Sequence, residues 1–355
     1  MVKIDHPTCA DDKPIVSVVI VNNNGKEFLE QCLHSVLHSY YTNFEVILVD
    51  NASTDGSVEK AEKMLENNCL IRIRNKNNVG PAVARNMGVK AAKGKLIAFL
   101  DNDTKVDAFW LSNAVHVLES DHSIGAAQLK LLLMGDPYRF DYGGDYLSPY
   151  GFLVQRVDEG AIDDGRFDEL VEIFSVKEAG MIIRRDLFEE LGGFDEDYFM
   201  YVEGMDLCWR VWLMGYKVLF IPTSRVYHAF GRISKLKSPR TKFLSKYHGT
   251  KNYITTLLKN LSMQNLFKIL PLHIILWLGV IIWHILRRRT TEAMWIVKAI
   301  LWNLTHFKRT WAKRQTVQFR LRKVSDASIM SRVMKKEHLT YFCNKITHPT
   351  SGWKI

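Results

Sequence analysis

Two carboxylates one residue apart, Asp101 and Asp103, close the apolar run 96–100 (LIAFL). Such a pair can grip one hard divalent cation, Mg2+ or Mn2+, and a cation there neutralises a diphosphate. A polar turn before the next helix is the plain alternative for so short a motif. A third acid, Asp50, ends the run 44–49 (FEVILV) and opens the turn 51–56. It can accept hydrogen bonds from a nucleobase or a ribose, or from its own turn. In the stretch 78–86 (NVGPAVARN), Asn78 and Gly80 precede Pro81, and Arg85 follows one turn later. A Gly-Pro helix start offers backbone N–H groups to an anion, and Arg85 can reach a phosphate or the acids of a metal site. Glu203 and Asp206 sit three apart among aromatic residues. On a helix they share a face, and an aromatic pocket suits a carboxylate to general-base work. Asp206 also precedes Arg210 by four residues, so a plain ion pair is an equal reading for it. His228 follows the short strand candidate 225–227 (RVY); it can complete a metal site or be a satisfied polar group.

These residues hang on an alternation of strands and helices. Residues 15–21 (IVSVVIV), 44–49, 70–74 and 96–100 are β-branched or apolar runs, as in strands buried on both faces of a parallel sheet. Helices are expected over 26–39, 58–66 and 81–93, the last with Pro81 in its first turn. Short connections and this alternation imply an α/β doubly wound sheet, in which ligands bind beyond the carboxyl ends of the strands. Asn22, Asp50, Asp101 and Asn102 stand at those ends. Residues 136–151 read as loop. Residues 174–184 read as a strand interrupted at 178–180, residues 195–214 as helical, and 217–221 and 225–227 as two short strands.

Hydrophobic residues make up 47% of the 355 residues and charged residues 24%, which excludes a disordered chain, a collagen and a coiled-coil rod. Five cysteines without a CxxC pair give no disulfide framework and no zinc knuckle. The first 14 residues contain acids and no apolar core, unlike a secretory signal. Charge is split along the chain. Residues 1–234 hold 24 Lys and Arg against 35 Asp and Glu, while residues 235–355 hold the other 24 against 3. A basic third of this kind suits an anionic membrane or a nucleic acid. No helix-turn-helix or RNP-like signature accompanies it, so nucleic acid is not the expected partner. Residues 269–286 contain no Asp, Glu, Lys or Arg. Eighteen residues, with Pro271, His273, Gly279 and His284 among them, favour a helix lying in one leaflet over a single span.

In order, VSVVIVNNNG (17–25), FEVILVDNASTDGS (44–57), NVGPAVARNMG (78–88), LIAFLDND (96–103), GGFDEDYFMYVEGMDLCWR (192–210) and VYHAFG (226–231) resemble family 2 glycosyltransferases of the GT-A fold, especially the rhamnosyltransferase-like branch. The resemblance covers residues 14–234. It implies a GT-A catalytic domain there, between an N-terminal extension (1–13) and a basic helical region (235–355). It also implies inverting, metal-dependent transfer of a sugar from a nucleotide-diphosphate sugar. Asp50 then binds the nucleobase, with Asn22, Asn78, Gly80, Arg85, Asp101 and Asn102 around the nucleotide. Asp101, Asp103 and His228 hold Mg2+ or Mn2+. The acceptor is a glycan or a polyprenyl-linked glycan at the cytoplasmic face of the membrane, reached through residues 235–314. The family carries two adjacent acids where this chain has Glu203-Gly204, and in some members the second is the base. The base is therefore Glu203 or Asp206. A homologue that binds nucleotide sugar without turnover is the alternative, and a nucleotidyltransferase is weaker because residues 22–25 contain no arginine.

Overall fold

The structure, a computed structural model, describes residues 14–64, 70–229, 242–338 and 341–342. The expected extension 1–13, Phe230 and Gly231 of the last motif and the expected boundary at 234 lie outside them. Three β/α units and a fourth strand come first among the described residues: β1 (Val16–Asn22), α1 (Leu29–Leu37), β2 (Phe44–Asp50), α2 (Ser57–Met64), β3 (Leu70–Arg74), α3 (Pro81–Ala91) and β4 (Leu96–Asp101). β3, β2, β1 and β4 lie side by side in that order, all parallel. Alternate residues of β1 point to opposite faces, and both faces are covered. Val18 and Ile20 pack with α1, while Val19 packs with α3. This two-sided burial explains why the strands are continuous apolar runs. Register then aligns the strand ends: Asn22 stands beside Asp50, and Val21 beside Asp101.

The rest of the sheet is mixed. β5 (Thr104–Val106), α4 (Trp110–Ser120), β6 (Ile124–Leu133), β7 (Asp136–Tyr142), β8 (Asp145–Leu147), β9 (Leu153–Gln155), β10 (Val171–Glu172), β11 (Gly180–Arg184), α5 (Arg185–Glu190), α6 (Glu203–Leu213) and β12 (Lys217–His228) follow. β11 runs antiparallel between β4 and β6, and β12 runs parallel to β6. Three expectations are corrected here. Residues 136–151, read as loop, contain β7 and β8. Aspartate, glycine and tyrosine mask strands that the neighbouring β6 and β9 stabilise. The two short strands at 217–227 are one strand with a register shift between Ile221 and Arg225, around Pro222, which lacks an N–H for the ladder. The helix read over 195–214 starts only at Glu203. Phe199, Tyr201 and Val202 before it hold φ of 61°, 68° and 70°, in the left-handed region that non-glycine residues avoid.

Among the described residues, further α-helices follow: α7 (Gly249–Asn260), α8 (Met263–Leu286), α9 (Thr290–Thr305), α10 (Phe307–Thr316) and α11 (Asp326–Val333). Every residue of α7 is buried, and its apolar residues share one core with α3 and α6. Several basic residues of this region are used internally. Lys259 Nζ lies 2.5 Å from Asp195 and 3.0 Å from Asp206; Lys313 and Arg309 pair with Asp195 and Asp197. The acidic body and the basic third therefore neutralise each other over part of their surface.

Burial would raise the Asp195 and Asp206 carboxyls, but Lys259, with Lys313 and Arg210, outweighs it and holds both below their ordinary values. Their contribution is complete above pH ~4, the unfolded value, and is lost as pH falls toward the folded values. Lys259→Ala leaves two buried acids short of a cation and should cost about 3–5 kcal/mol in urea unfolding at pH 7. The penalty should shrink as the acids protonate below pH ~4. A penalty under ~1 kcal/mol at pH 7 would show that this cluster does not hold the helices in place.

Candidate active site

A cavity of about 710 Å3 opens at the carboxyl ends of the parallel strands. One wall is the loop after β4. β12 pairs antiparallel with β5, bringing His228 opposite Thr104, and Ala229 N donates to Asp103 O at 2.9 Å. Asp101, Asp103 and His228 thus offer three ligand atoms within 4.8 Å of one another. His228 Nε2 is 3.2 Å from Asp103 Oδ1, and His228 Nδ1 is 2.9 Å from Asp141 Oδ2. Burial would lower the imidazole pKa, but Asp103 and Asp141 outweigh it and hold it up at about 9. The site is therefore built around positive charge. Two carboxylates, plus a histidine whose other nitrogen is oriented by a third acid, suit a divalent cation. Asp141 also receives Lys177 Nζ at 2.6 Å. Sequence reasoning missed Asp141 because it lies in the stretch read as loop.

Arg85 ties this wall to the next. The guanidinium is buried, with Nη2 2.7 Å from Asp101 Oδ1 and Nη1 3.4 Å from Glu203 Oε1. Glu203 is 4% exposed, and its Oε2 has no hydrogen-bond partner among the described residues. Burial, then the neighbouring Glu178, push its pKa up to about 8 against the pull of Arg85. Glu203 owes its place to the strained turn before it. Asn252 of α7 donates to the carbonyls of Tyr198, Met200 and Tyr201 at 3.0, 3.0 and 2.7 Å, fixing that turn from behind.

The first loop forms the remaining wall. Asn22 is a buried hub. Its amide donates to Ser53, Ser57 and, at 3.4 Å, Asp50, while its oxygen accepts from Asn102 at 2.7 Å. Gly25 permits this approach, since a Cβ there would come within 2.3 Å of Asn102 Nδ2. Asn51 Nδ2 donates to Asn78 Oδ1 at 3.0 Å, and Asn78 Oδ1 accepts from Gly80 N at 2.9 Å.

Of the residues singled out in the sequence, Asn78, Arg85, Asp101, Asn102, Asp103, Glu203 and His228 line the cavity. Asn22, Asp50 and Gly80 stand behind the lining. Asp50 is buried, and its oxygens accept from Asn22 and from Ser53 N, as in a turn that closes on its own side chain. Gly80, at φ 84°, packs against Phe199, which a Cβ would approach to 2.7 Å. Asp206 departs from expectation as a candidate base. It is fully buried away from the cavity, bonded to Arg210, Lys259, Asn260 and Tyr198. Asn23, Asn51, Asp141 and Glu178 line the cavity and were not singled out.

Residues 17–191 match the family model described as glycosyl transferase family 2. Glycosyltransferase GlyG of Streptococcus pneumoniae is 27% identical over 223 residues, 58% of this chain and 68% of GlyG. The Escherichia coli protein named UDP-Glc:alpha-D-GlcNAc-diphosphoundecaprenol beta-1,3-glucosyltransferase WfaP is 36% identical over 107 residues, 30% of this chain and 42% of WfaP. EpsJ of Bacillus subtilis, an uncharacterized glycosyltransferase, is 37% identical over 95 residues, 27% of this chain and 28% of EpsJ. The chain thus spans less than half the length of several relatives that it matches. Among solved structures, S. aureus TarS 1–349 in complex with UDP-GlcNAc superposes with a TM-score of 0.55 at 17% identity, covering 86% of each chain. The mannosyltransferase PcManGT from Pyrobaculum calidifontis, in complex with GDP-Man and Mn2+, superposes with a TM-score of 0.53 at 18% identity, covering 85% of this chain and 89% of that one. These likenesses show the shared fold.

Proposed function

We propose that this chain, whose residues 17–191 form a glycosyl transferase family 2 domain, moves a sugar from a nucleoside-diphosphate sugar to a hydroxyl of a glycan or lipid-linked glycan, with inversion. The observation that carries this reading is one cavity with two chemistries: Asp101, Asp103 and His228 on one wall, and the carboxyl groups of Glu178 and Glu203 on another. Asp101, Asp103 and His228 would hold a divalent cation such as Mn2+ or Mg2+, which when bound would supply positive charge for the leaving diphosphate. The amides of Asn23, Asn51, Asn78 and Asn102 meet the nucleotide. Arg85 keeps Asp101 aligned and adds positive charge to the same wall. The acceptor oxygen attacks the anomeric carbon, the bond to the diphosphate breaks on the opposite face, and a carboxylate of the acidic wall takes the acceptor proton. One displacement inverts the centre.

The C-terminal helices suit an acceptor held at a membrane, as the diphosphoundecaprenol in the name of WfaP suggests for that relative. α8 is the one helix among the described residues long and apolar enough to cross a bilayer. Its inner face, however, is buried on the catalytic body, where His273 Nδ1 meets Tyr150 O at 2.8 Å. Its outer face exposes Phe267, Ile275, Leu278, Ile282 and Ile285, continued by Leu301 and Leu304 of α9. Docked on one side and apolar on the other, the pair rests in the cytoplasmic leaflet instead of spanning.

The donor is tested by calorimetry of the full chain against UDP-, GDP- and dTDP-sugars with Mn2+. One nucleotide class should bind, and EDTA or Asp103→Ala should weaken it by about tenfold or more. A folded protein that binds none of them would sink the reading. The membrane role is tested by sedimentation with vesicles of phosphatidylglycerol. The parent should pellet, and Ile275→Asp with Ile282→Asp should stay in solution; equal pelleting would remove α8 as the contact.

A further inference from the structure

Gly204 is the second residue of α6 and follows Glu203. No side chain fits there in this fold. A Cβ on residue 204 would come 2.5 Å from Val176 O and 2.6 Å from Glu178 Oε1. The space beside Glu203 is thus filled from another part of the chain. Residues 175–178 run along the cavity just before β11 and bring the Glu178 carboxyl beside Gly204 in the first turn of α6. Glu178 is partly open to the cavity, whereas Glu203 is sealed against Arg85.

We propose that Glu178 supplies the second acid of the site in place of a side chain at 204, and is the base that takes the acceptor proton. Glu203 is then a positioning residue, which holds Arg85 against Asp101. The assignment rests on the transferase reading above. In the step, the acceptor O–H proton passes to a Glu178 carboxylate oxygen as the acceptor oxygen bonds to the anomeric carbon. The anomeric C–O bond to the diphosphate breaks, and its electron pair leaves on the phosphate oxygen. The titratable and charged groups around Glu178 include Arg85, Asp101, Glu203, Tyr142 and Cys208. Burial raises the Glu178 carboxyl above its ordinary value, and Arg85 opposes this. Two carboxyls so close do not both ionise readily, so the Arg85 cation beside them is part of the site. A glycine at 204 therefore does not mean a missing acid: the sequence places the acid 26 positions earlier, at Glu178.

The test has two arms. With the nucleotide sugar that the parent binds, Glu178→Gln should keep donor affinity within about threefold but lose nucleoside-diphosphate release, to acceptor or water, by about 100-fold or more. Glu203→Gln should lose less. Release by Glu178→Gln within threefold of the parent overturns the proposal. A parent that binds no nucleotide sugar strikes the transferase reading instead. The second arm needs no substrate. Gly204→Ala should lower the melting temperature strongly in the parent and less in the Glu178→Gly background, because the carboxyl no longer occupies the space. Equal losses in both backgrounds would show that residues 178 and 204 do not share that space, and would overturn the assignment.

Discussion

A buried guanidinium between acids fixes the rest of the site. Arg85 reaches from the helix after β3 to Asp101 at the end of β4 and to Glu203 at the start of α6. Asp101 belongs to the parallel first half of the sheet, and Glu203 comes about 100 residues later, after the antiparallel strands. Glu178 also lies within its field. Three acids gathered around one cavity repel one another, and a buried cation is the internal charge that lets them stay together. Arginine suits this place because its planar fork reaches two carboxylates at once and stays charged when buried. The same contact sets the division of labour in the cavity, with the acids at the end of β4 on one side of Arg85 and those of α6 and residue 178 on the other.

A second charged cluster supports the first from behind. Glu203 sits at the end of a turn with three residues in the left-handed region, a conformation that persists only where its surroundings fix it. α7 does this through Asn252, and α7 is in turn fixed by Lys259 between Asp195 and Asp206. Among the described residues, the basic last third is therefore packed on the acidic body through α7. Part of its charge is spent on docking, and what it leaves outward is the apolar face of α8 and α9. The cavity wall at Glu203 and the helices with the exposed apolar face are continuous through α7.

Much of this was legible in the sequence. Strands buried on both faces announce themselves as apolar runs, and their polar ends mark the cavity, so Asn78, Arg85, Asp101, Asn102, Asp103, Glu203 and His228 could be picked out from residue type and place alone. The places where residue pattern left the reading open or missed a residue share a physical cause. Asp141 sits on a strand held by its neighbours and not by its own propensity. Asp206 shares a helical face pattern with Glu203, but its carboxylate is claimed by cations from Arg210 and the distant α7. Asp50 closes its own turn, a local competition that sequence pattern leaves open. Glu178 gave the faintest signal, an acid interrupting a strand pattern. It gains meaning only from a glycine on another element, and contacts of that kind are absent from any local reading.

The most direct test of this account is a double-mutant cycle on the unfolding free energy of the full chain, pairing Arg85→Met with Asp101→Asn. Removing Arg85 alone strands buried acids and should cost about 3–5 kcal/mol. Removing Asp101 in the same molecule relieves part of that charge, so the double variant should be more stable than the sum of the single losses by about 1 kcal/mol or more. Additive losses would mean that Arg85 does not hold the two walls of the cavity together.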